Sequence, residues 1–191
     1  MQRFQIFPFS HFLIFPFSYF HILTLHSPMV ILGIDTSLRS TGYGVIAAEG
    51  SRMRCLAAGN IPNRATLPLT ACLRAIHAKV AELIAEFRPD VMSVESVIYG
   101  KNAGTMLVLG EARGAVLTAA VDAEVPVYEY EPRRMKKAIC GNGLAEKEQV
   151  QRMVKTLLNL AELPQNDAAD ALGLAICHAH SNSVISQEKP I

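Results

Sequence analysis

Four carboxylates occupy positions where folding would bring acidic groups into apolar surroundings. Asp35 ends the apolar run VILGID, and Glu95 ends the apolar run VMSVE. Asp167 and Asp170 lie three residues apart among alanines and leucines in PQNDAADALGLAICHAH. Residues three apart share one face of a helix, so these two side chains are expected to point the same way.

Taken alone, three of these carboxylates have a purely structural explanation, whereas Glu95 has no pairing partner nearby in the sequence. Asn166 or Asp167 can cap the last helix, Asp170 is favoured near the positive end of its dipole, and Asp35 can cap the following turn. Taken together, these explanations weaken, because several carboxylates at one apolar site repel each other and lose solvation. A bound cation would resolve that conflict.

Mg²⁺ suits this set of ligands. It takes oxygen ligands, keeps several waters, and is commonly held by one or two carboxylates together with phosphate oxygens. Two such ions about 4 Å apart can clamp the attacking water and the leaving oxygen in phosphodiester hydrolysis. The sequence has no Cys or His cluster of the kind that binds zinc, and we interpret His178 and His180 as surface or packing residues.

A basic segment offers a place for the phosphate partner. Residues 131–155 hold seven Lys or Arg and three Glu, although the whole chain has a net charge of +1. The segment is interpreted as a phosphate-binding flank, with a solvated helix face as the alternative. Lys101 and Asn102 are also placed to reach a phosphate, and Tyr99 is either a base-stacking residue or a core aromatic. The basic residues are Arg133, Arg134, Lys136, Lys137, Lys147, Arg152 and Lys155.

The hydrophobic pattern predicts the elements that position these groups. Thr66 is the predicted cap of the first helix, and the spacing of Gly110 and Gly114 predicts close packing of the second. Strands first, then strands alternating with helices, indicate an α/β fold with a mixed five-stranded sheet flanked by helices. If the strands ending at Asp35 and Glu95 are parallel neighbours, their carboxyl ends form the edge where such sheets build sites. Predicted strands are 30–37, 40–48, 53–60, 90–96 and 124–131; predicted helices are 67–87, 102–121, 132–139, 146–159 and one starting near Asn166.

The chain has 191 residues, half of them hydrophobic, which is enough for one domain with a core. Residues 1–28 differ from the rest: seven of the eight phenylalanines lie in 1–20, where FPFSHF is followed by FPFSYF. We interpret this segment as an upstream translation artefact or a disordered extension, with an unusual anchor as the alternative. The expected domain is 29–182, followed by a flexible tail at 183–191. Four scattered cysteines indicate reduced thiols and a cytoplasmic protein.

Several motifs together resemble the RuvC family of Holliday junction resolvases. They are ILGID…TGYGV, VESV…KNAGTMLVLGEARG, AEKEQVQRMVKTLLNL and PQNDAADALGLAICHAH, in order over nearly all of 29–182. The resemblance implies a ribonuclease H-like fold, a homodimer and a Mg²⁺-dependent endonuclease with two ions per subunit, Mn²⁺ being an alternative. It implies four-way junction DNA as substrate, a branch-migration motor complex as partner, and no membrane.

The resemblance also assigns roles to residues. Asp35, Glu95, Asp167 and Asp170 fall on the acidic catalytic metal ligands, and Lys136 and Lys147 fall on basic positions associated with DNA contact and catalysis. One ion would be held by Asp35 with Asp167 or Asp170, and a second would lie near Glu95. The implied product carries a 5′ phosphate and a 3′ hydroxyl.

Two departures from the family pattern are visible. The chain reads GIDTS where the family usually reads GIDPG, and Ile98, next to Tyr99, stands where the family often has an aromatic. The helix at 102–121 is a candidate dimer surface, with packing on the sheet alone as the alternative. Two other functions are open: a non-catalytic junction-binding protein of the same fold, and an actin-like nucleotide-binding protein, suggested by ILGIDTS.

Overall fold

Three strands come first along the chain, and strands then alternate with helices, as the pattern predicts. A computed structural model describes residues 27–96, 102–183 and 189–191. The strands are β1 (Met29–Asp35), β2 (Ser40–Glu49), β3 (Arg52–Pro62), β4 (Val91–Glu95) and β5 (Val127–Tyr130). The helices are α1 (Leu69–Phe87), α2 (Ala103–Asp122), α3 (Pro132–Cys140), α4 (Lys147–Leu157) and α5 (Asn166–Ser183).

The strands form one mixed five-stranded sheet in the order β3-β2-β1-β4-β5. The β1–β2 and β2–β3 pairs are antiparallel, whereas β1 pairs with β4, and β4 with β5, in parallel. The predicted sheet is therefore confirmed, including the parallel contact between β1 and β4. The chain leaves β1 towards one edge of the sheet and β4 towards the other, so their carboxyl ends flank a topological switch point.

Helices cover both faces of the sheet. On one face, α1 and α2 pack over Leu32, Ile34 and their neighbours, and on the other, α3, α4 and α5 pack over Ile31 and Ile46. Alternate residues of a strand point to opposite faces, so Asp35 belongs to the same face as Ile31 and faces the α5 side.

The last helix lies directly against the backbone of β1 and β2. A Cβ added at Gly33 would lie 2.0 Å from the Ala171 carbonyl oxygen, and one added at Gly42 would lie 2.0 Å from the Asp167 carbonyl oxygen. Only glycine permits an approach this close. The contact holds the first turns of α5, with their two aspartates, beside the end of β1.

Three local predictions were wrong. The N-cap of α1 is Pro68, which makes no side-chain cap bond, rather than Thr66; the residue before a proline favours extended backbone, so the helix begins after it. The fifth strand begins at Val127 rather than 124, because Glu124 adopts a positive φ of 56° in the preceding turn. A Cβ added at Gly110 or Gly114 would meet nothing within 4 Å, so these glycines make no close packing with the described residues.

One side of α2 is apolar yet exposed. The mean hydropathy over an 18-residue stretch of this helix is 1.2, but only 28% of that stretch is buried. Leu107 and Val121 are 66% and 72% exposed. By length and composition alone the helix would suit a membrane, which is weak evidence, since core helices of soluble proteins pass the same test. Its other side packs Ala112, Val116 and Ala119 into the core.

The two ends of the chain are described only in part. Ile191 donates its main-chain N–H to the Val127 carbonyl oxygen at 3.0 Å, so the last residue lies beside β5. Residues 1–26 and 184–188 lie outside the described residues. The predicted extension at 1–28 and the flexible tail at 183–191 therefore stay predictions.

Gly33→Ala is expected to lower the free energy of unfolding by about 3 kcal/mol, because the added methyl group meets helix backbone that has no room to yield. Urea unfolding of the full chain measures the change. Gly104→Ala is the control: its added Cβ meets only Asn102 Oδ1, at 3.4 Å, so stability should not fall. Equal losses in the two variants would contradict the close contact between α5 and the sheet.

Candidate functional site

Three of the four predicted carboxylates line one pocket. Asp35 comes from the end of β1, Glu95 from the end of β4 and Asp170 from the second turn of α5. Lys136 of α3 and Lys147 of α4 complete the polar part of the wall, and the pocket volume is about 350 Å³. The switch point of the sheet thus carries a mixed acidic and basic pocket, and the strand pattern predicted that Asp35 and Glu95 would meet there.

Burial makes it unfavourable for all three carboxylates to be charged. It raises the pKa of Asp35 to about 7, helped by the nearby charges of Glu95, Asp170 and Asp167. Burial also raises the pKa of Glu95, with Asp170 adding to the effect. The pKa of Asp170 is raised by burial too, although the Lys147 ammonium opposes the shift. Desolvation and mutual repulsion therefore act on the same three groups.

These groups fit a hard divalent cation. The pocket offers carboxylate oxygens, the ligands that Mg²⁺ prefers, and a cation would relieve their repulsion. Across the described ranges, no three His, Cys, Asp or Glu side chains lie close enough together to hold a metal ion by themselves, so the protein alone would not complete a coordination shell here. An open set of carboxylates suits Mg²⁺, which keeps waters and accepts phosphate oxygens in the remaining positions.

Asp167 stands apart from the pocket wall. Its Oδ2 accepts a hydrogen bond from Asn60 Nδ2 at 2.9 Å and another from the hydroxyl of Ser40. Its charge still contributes to the raised pKa of both Asp35 and Asp170. The helical spacing thus places both aspartates close to the site, and of the two only Asp170 lines the pocket.

The predicted basic residues divide into two groups. Lys147 Nζ lies 3.9 Å from Asp170 Oδ2 on a side chain that is 64% exposed, and Lys136 lines the same pocket. Arg133 and Lys137 are exposed on α3 but do not line the pocket. Arg134 lies over the Tyr130 ring, with its guanidinium carbon 5.0 Å from the ring centroid.

Of the three DNA contacts predicted just after Glu95, only Asn102 lies within the described residues. Asn102 is the N-cap of α2, and its Oδ1 accepts a hydrogen bond from the Thr105 N–H at 3.1 Å, so part of its side chain has a structural role. Tyr99, Lys101 and the neighbouring Ile98 lie outside the described residues. Their roles stay predictions.

The two histidines of α5 are packing residues, as predicted. His178 is buried, and its Nδ1 lies 2.7 Å from the hydroxyl oxygen of Tyr130. His180 is half-buried, and its Nδ1 lies 3.2 Å from the Ala138 carbonyl oxygen. Neither side chain lines the carboxylate pocket.

Sequence reasoning missed a buried arginine behind Glu95. Arg113, 7% exposed, donates to the main-chain oxygen of Glu95 at 2.6 Å and to the carboxylate of Glu129. It thereby ties α2 to the ends of β4 and β5. A charged residue on the buried face of an apolar helix was the signal that could have revealed it.

Comparisons with known proteins match one family over most of the chain. The family model "Crossover junction endodeoxyribonuclease RuvC" matches residues 31–178. The protein of that name from Vibrio cholerae is 50% identical over 156 residues, covering 82% of this chain and 90% of its own length. The one from Citrifermentans bemidjiense is 47% identical, covering 82% and 95%. The structure of T. thermophilus RuvC in complex with Holliday junction substrate has a TM-score of 0.81 and 37% identity, covering 85% of this chain and 99% of that one.

These similarities confirm the ribonuclease H-like fold that the motifs implied. They extend over most of this chain and over nearly the full length of the relatives. The chain therefore belongs to the RuvC family of crossover junction endodeoxyribonucleases.

Proposed function

We propose that this protein resolves four-way DNA junctions by paired symmetric nicks, through metal-dependent hydrolysis of phosphodiester bonds, in homologous recombination and DNA repair. The observation that carries the proposal is the pocket where Asp35, Glu95 and Asp170 meet beside two lysines, at the switch point of the sheet. The relatives named for crossover junction cleavage, and the T. thermophilus complex with junction substrate, support the same function.

The carboxylates would hold Mg²⁺, two ions per subunit, with Mn²⁺ as an alternative. Asp35 and Asp170, with Asp167 beside them, would hold one ion, and Glu95 would contribute to a second. When bound, Mg²⁺ supplies an activated water and neutralises charge at the leaving oxygen. The product would carry a 5′ phosphate and a 3′ hydroxyl.

The lysines would bind the phosphate to be cut. Lys147 and Lys136 stand at the same pocket as the carboxylates, so an incoming phosphate meets positive charge on one wall and cation ligands on the other. Exposed Arg133 and Lys137, with Arg134 next to them, would extend this contact along α3. Tyr99, Lys101 and the amide of Asn102 remain candidate DNA contacts on the other side of Glu95.

Two subunits would act on one junction. A four-way junction has approximate two-fold symmetry, so a two-fold dimer can present one site to each of two strands. The exposed apolar side of α2, with Leu107 and Val121, supports this helix as the dimer surface. The family resemblance would also imply a branch-migration motor as a further partner, and the scattered free cysteines favour a cytoplasmic location.

The two alternative functions are less well supported. A protein that only bound junctions would gain nothing from an acidic pocket facing phosphates, since like charges repel. The actin-like interpretation does not account for Asp170 and Glu95 at one pocket beside Asp35. Family membership likewise favours the nuclease.

Glu95→Gln is expected to slow cutting of a mobile four-way junction by about a hundredfold or more, because losing a ligand charge removes several kcal/mol of transition-state stabilisation. The measurement is nicking of labelled junctions in Mg²⁺, with linear duplex and EDTA as comparisons. Glu82→Gln is the matched control, since Glu82 is exposed on α1, pairs with Lys79 there and does not line the pocket. A wild-type protein that binds junctions without nicking them would contradict the proposal.

Mg²⁺ is expected to stabilise the protein more at about pH 8.5 than at about pH 6. Burial and neighbouring carboxylates raise the pKa of Asp35 from 3.8 to about 7 in the folded chain. The stability linked to its proton is therefore complete below pH 3.8 and is lost as pH rises through about 7, where ionised Asp35 is free to hold the cation.

Thermal unfolding in EDTA and in Mg²⁺ measures this effect. In EDTA, the melting temperature of the wild type should fall as the pH rises from about 6 to about 8.5. Asp35→Asn should make the melting temperature less dependent on pH. An equal Mg²⁺ effect at both pH values would argue against Asp35 as the titrating ligand.

Leu107→Glu is expected to convert a dimer into a monomer, because it would place a charge in a buried apolar contact. Sedimentation velocity of the full chain gives the mass. Leu163→Glu changes a comparably exposed leucine, 54% exposed, away from α2 and should leave the dimer intact. A wild-type monomer at all concentrations would contradict the assigned surface.

A further inference from the structure

The carboxylate of Asp167 is bonded to two neutral side chains of the β2–β3 hairpin. Asn60 Nδ2 donates to Asp167 Oδ2 at 2.9 Å and to Ser40 Oγ at 2.9 Å, and the Ser40 hydroxyl donates to the same Oδ2. All three side chains are partly buried. The three groups thus form a closed triangle of hydrogen bonds.

Hydrogen-bond chemistry fixes the direction of this triangle. An amide nitrogen can only donate, so Ser40 Oγ accepts a hydrogen bond from Asn60 and its hydroxyl donates one to Asp167 Oδ2. Turning the amide over would set its oxygen against a carboxylate oxygen, which is unfavourable. Asn60 and Ser40 therefore both donate to Oδ2 of Asp167, which leaves Oδ1 for a further ligand.

The triangle adjoins a second opening on the surface. Ser40 and Asn60 line a groove of about 620 Å³ together with Gly59, Gln165 and Ala168, and this groove shares no lining residue with the carboxylate pocket. A carboxylate beside a solvent-accessible groove gains hydration by turning towards it. The hydrogen bonds from Ser40 and Asn60 take the place of that hydration and hold the Asp167 carboxylate in one orientation.

The hairpin does not need this triangle for its own stability. Strands β2 and β3 pair from Ser40 with Pro62 to Glu49 with Arg52, with one register shift between Val45 and Ile46. Asn60 Oδ1 is buried and has no hydrogen-bond partner within the described part of the chain, so holding the amide here leaves an acceptor unsatisfied. A side chain placed at that disadvantage is better explained by what it does for Asp167.

We propose that Ser40 and Asn60 are positioning residues for the nuclease reaction: they hold Asp167 by Oδ2, so that its remaining oxygen meets the divalent cation. The inference rests on the proposed metal-dependent function. Groups that orient metal ligands typically change metal affinity or activity roughly 10- to 100-fold when they are removed.

Mn²⁺ titration of the metal-free full chain by calorimetry tests the proposal without relying on cleavage. Ser40→Thr keeps the hydroxyl, whereas Ser40→Val matches threonine in shape but lacks the hydroxyl. Only the valine variant should therefore bind Mn²⁺ more weakly. Combining Ser40→Val with Asn60→Ala should weaken binding roughly 10- to 100-fold. Ser51→Ala, at the opposite end of the same hairpin, should bind as the wild type does.

A second series shows whether the effect passes through Asp167. In an Asp167→Asn background, the Ser40 and Asn60 substitutions should produce no further loss of Mn²⁺ affinity, because the group they position is already changed. Equal Mn²⁺ affinity in Ser40→Thr and Ser40→Val, or a full additional loss in the Asp167→Asn background, would overturn the inference.

The proposed function fails separately from this inference. If the wild type cuts junctions and binds Mn²⁺ but the Ser40 and Asn60 variants lose only thermal stability, the positioning role is wrong and the nuclease function stands. If the wild type neither binds Mn²⁺ nor cuts, the proposed function itself is wrong and the inference falls with it.

Discussion

Backbone contact between α5 and the first two strands is the constraint on which the site depends. Gly33 and Gly42 let the helix approach to a distance that no side chain permits. The carboxylates of α5 belong to a different part of the sequence from those of β1 and β4, and this contact brings them together. Without it the sheet would still form, but Asp35 and Glu95 would lack their third partner.

The site is assembled against an electrostatic penalty, which the rest of the chain reduces only in part. Burial and repulsion raise the pKa of Asp35, Glu95 and Asp170, while Lys147 opposes the shift on each of them. Lys147 is largely exposed and lies 3.9 Å from its nearest carboxylate, so it screens the charge without neutralising it. The remaining imbalance would favour a divalent cation at this pocket.

Features that depend on residues close together in the sequence were predictable, and features that depend on contacts between distant residues were not. Apolar runs ending in a carboxylate revealed β1, β4 and their site residues, and helical spacing grouped Asp167 with Asp170. Ser40 and Asn60 lie twenty residues apart and meet only through the register of β2 with β3. Burial of Arg113 likewise depends on where α2 docks. The capping bond from the Thr105 N–H to Asn102 is local and was within reach of sequence reasoning. Tyr99 and Lys101 remain predictions from the sequence.

The hydrogen bond from Arg113 reaches the main-chain oxygen of Glu95 rather than its carboxylate. Every residue type carries that oxygen, so the anchor does not depend on which side chain stands at position 95. Over evolutionary time, a lineage could lose or exchange this acid and still retain the strand end in place. The position of the reactive group is therefore fixed independently of its side-chain type. Descendants of such a chain can replace the side chain at this position while keeping the geometry of the strand end.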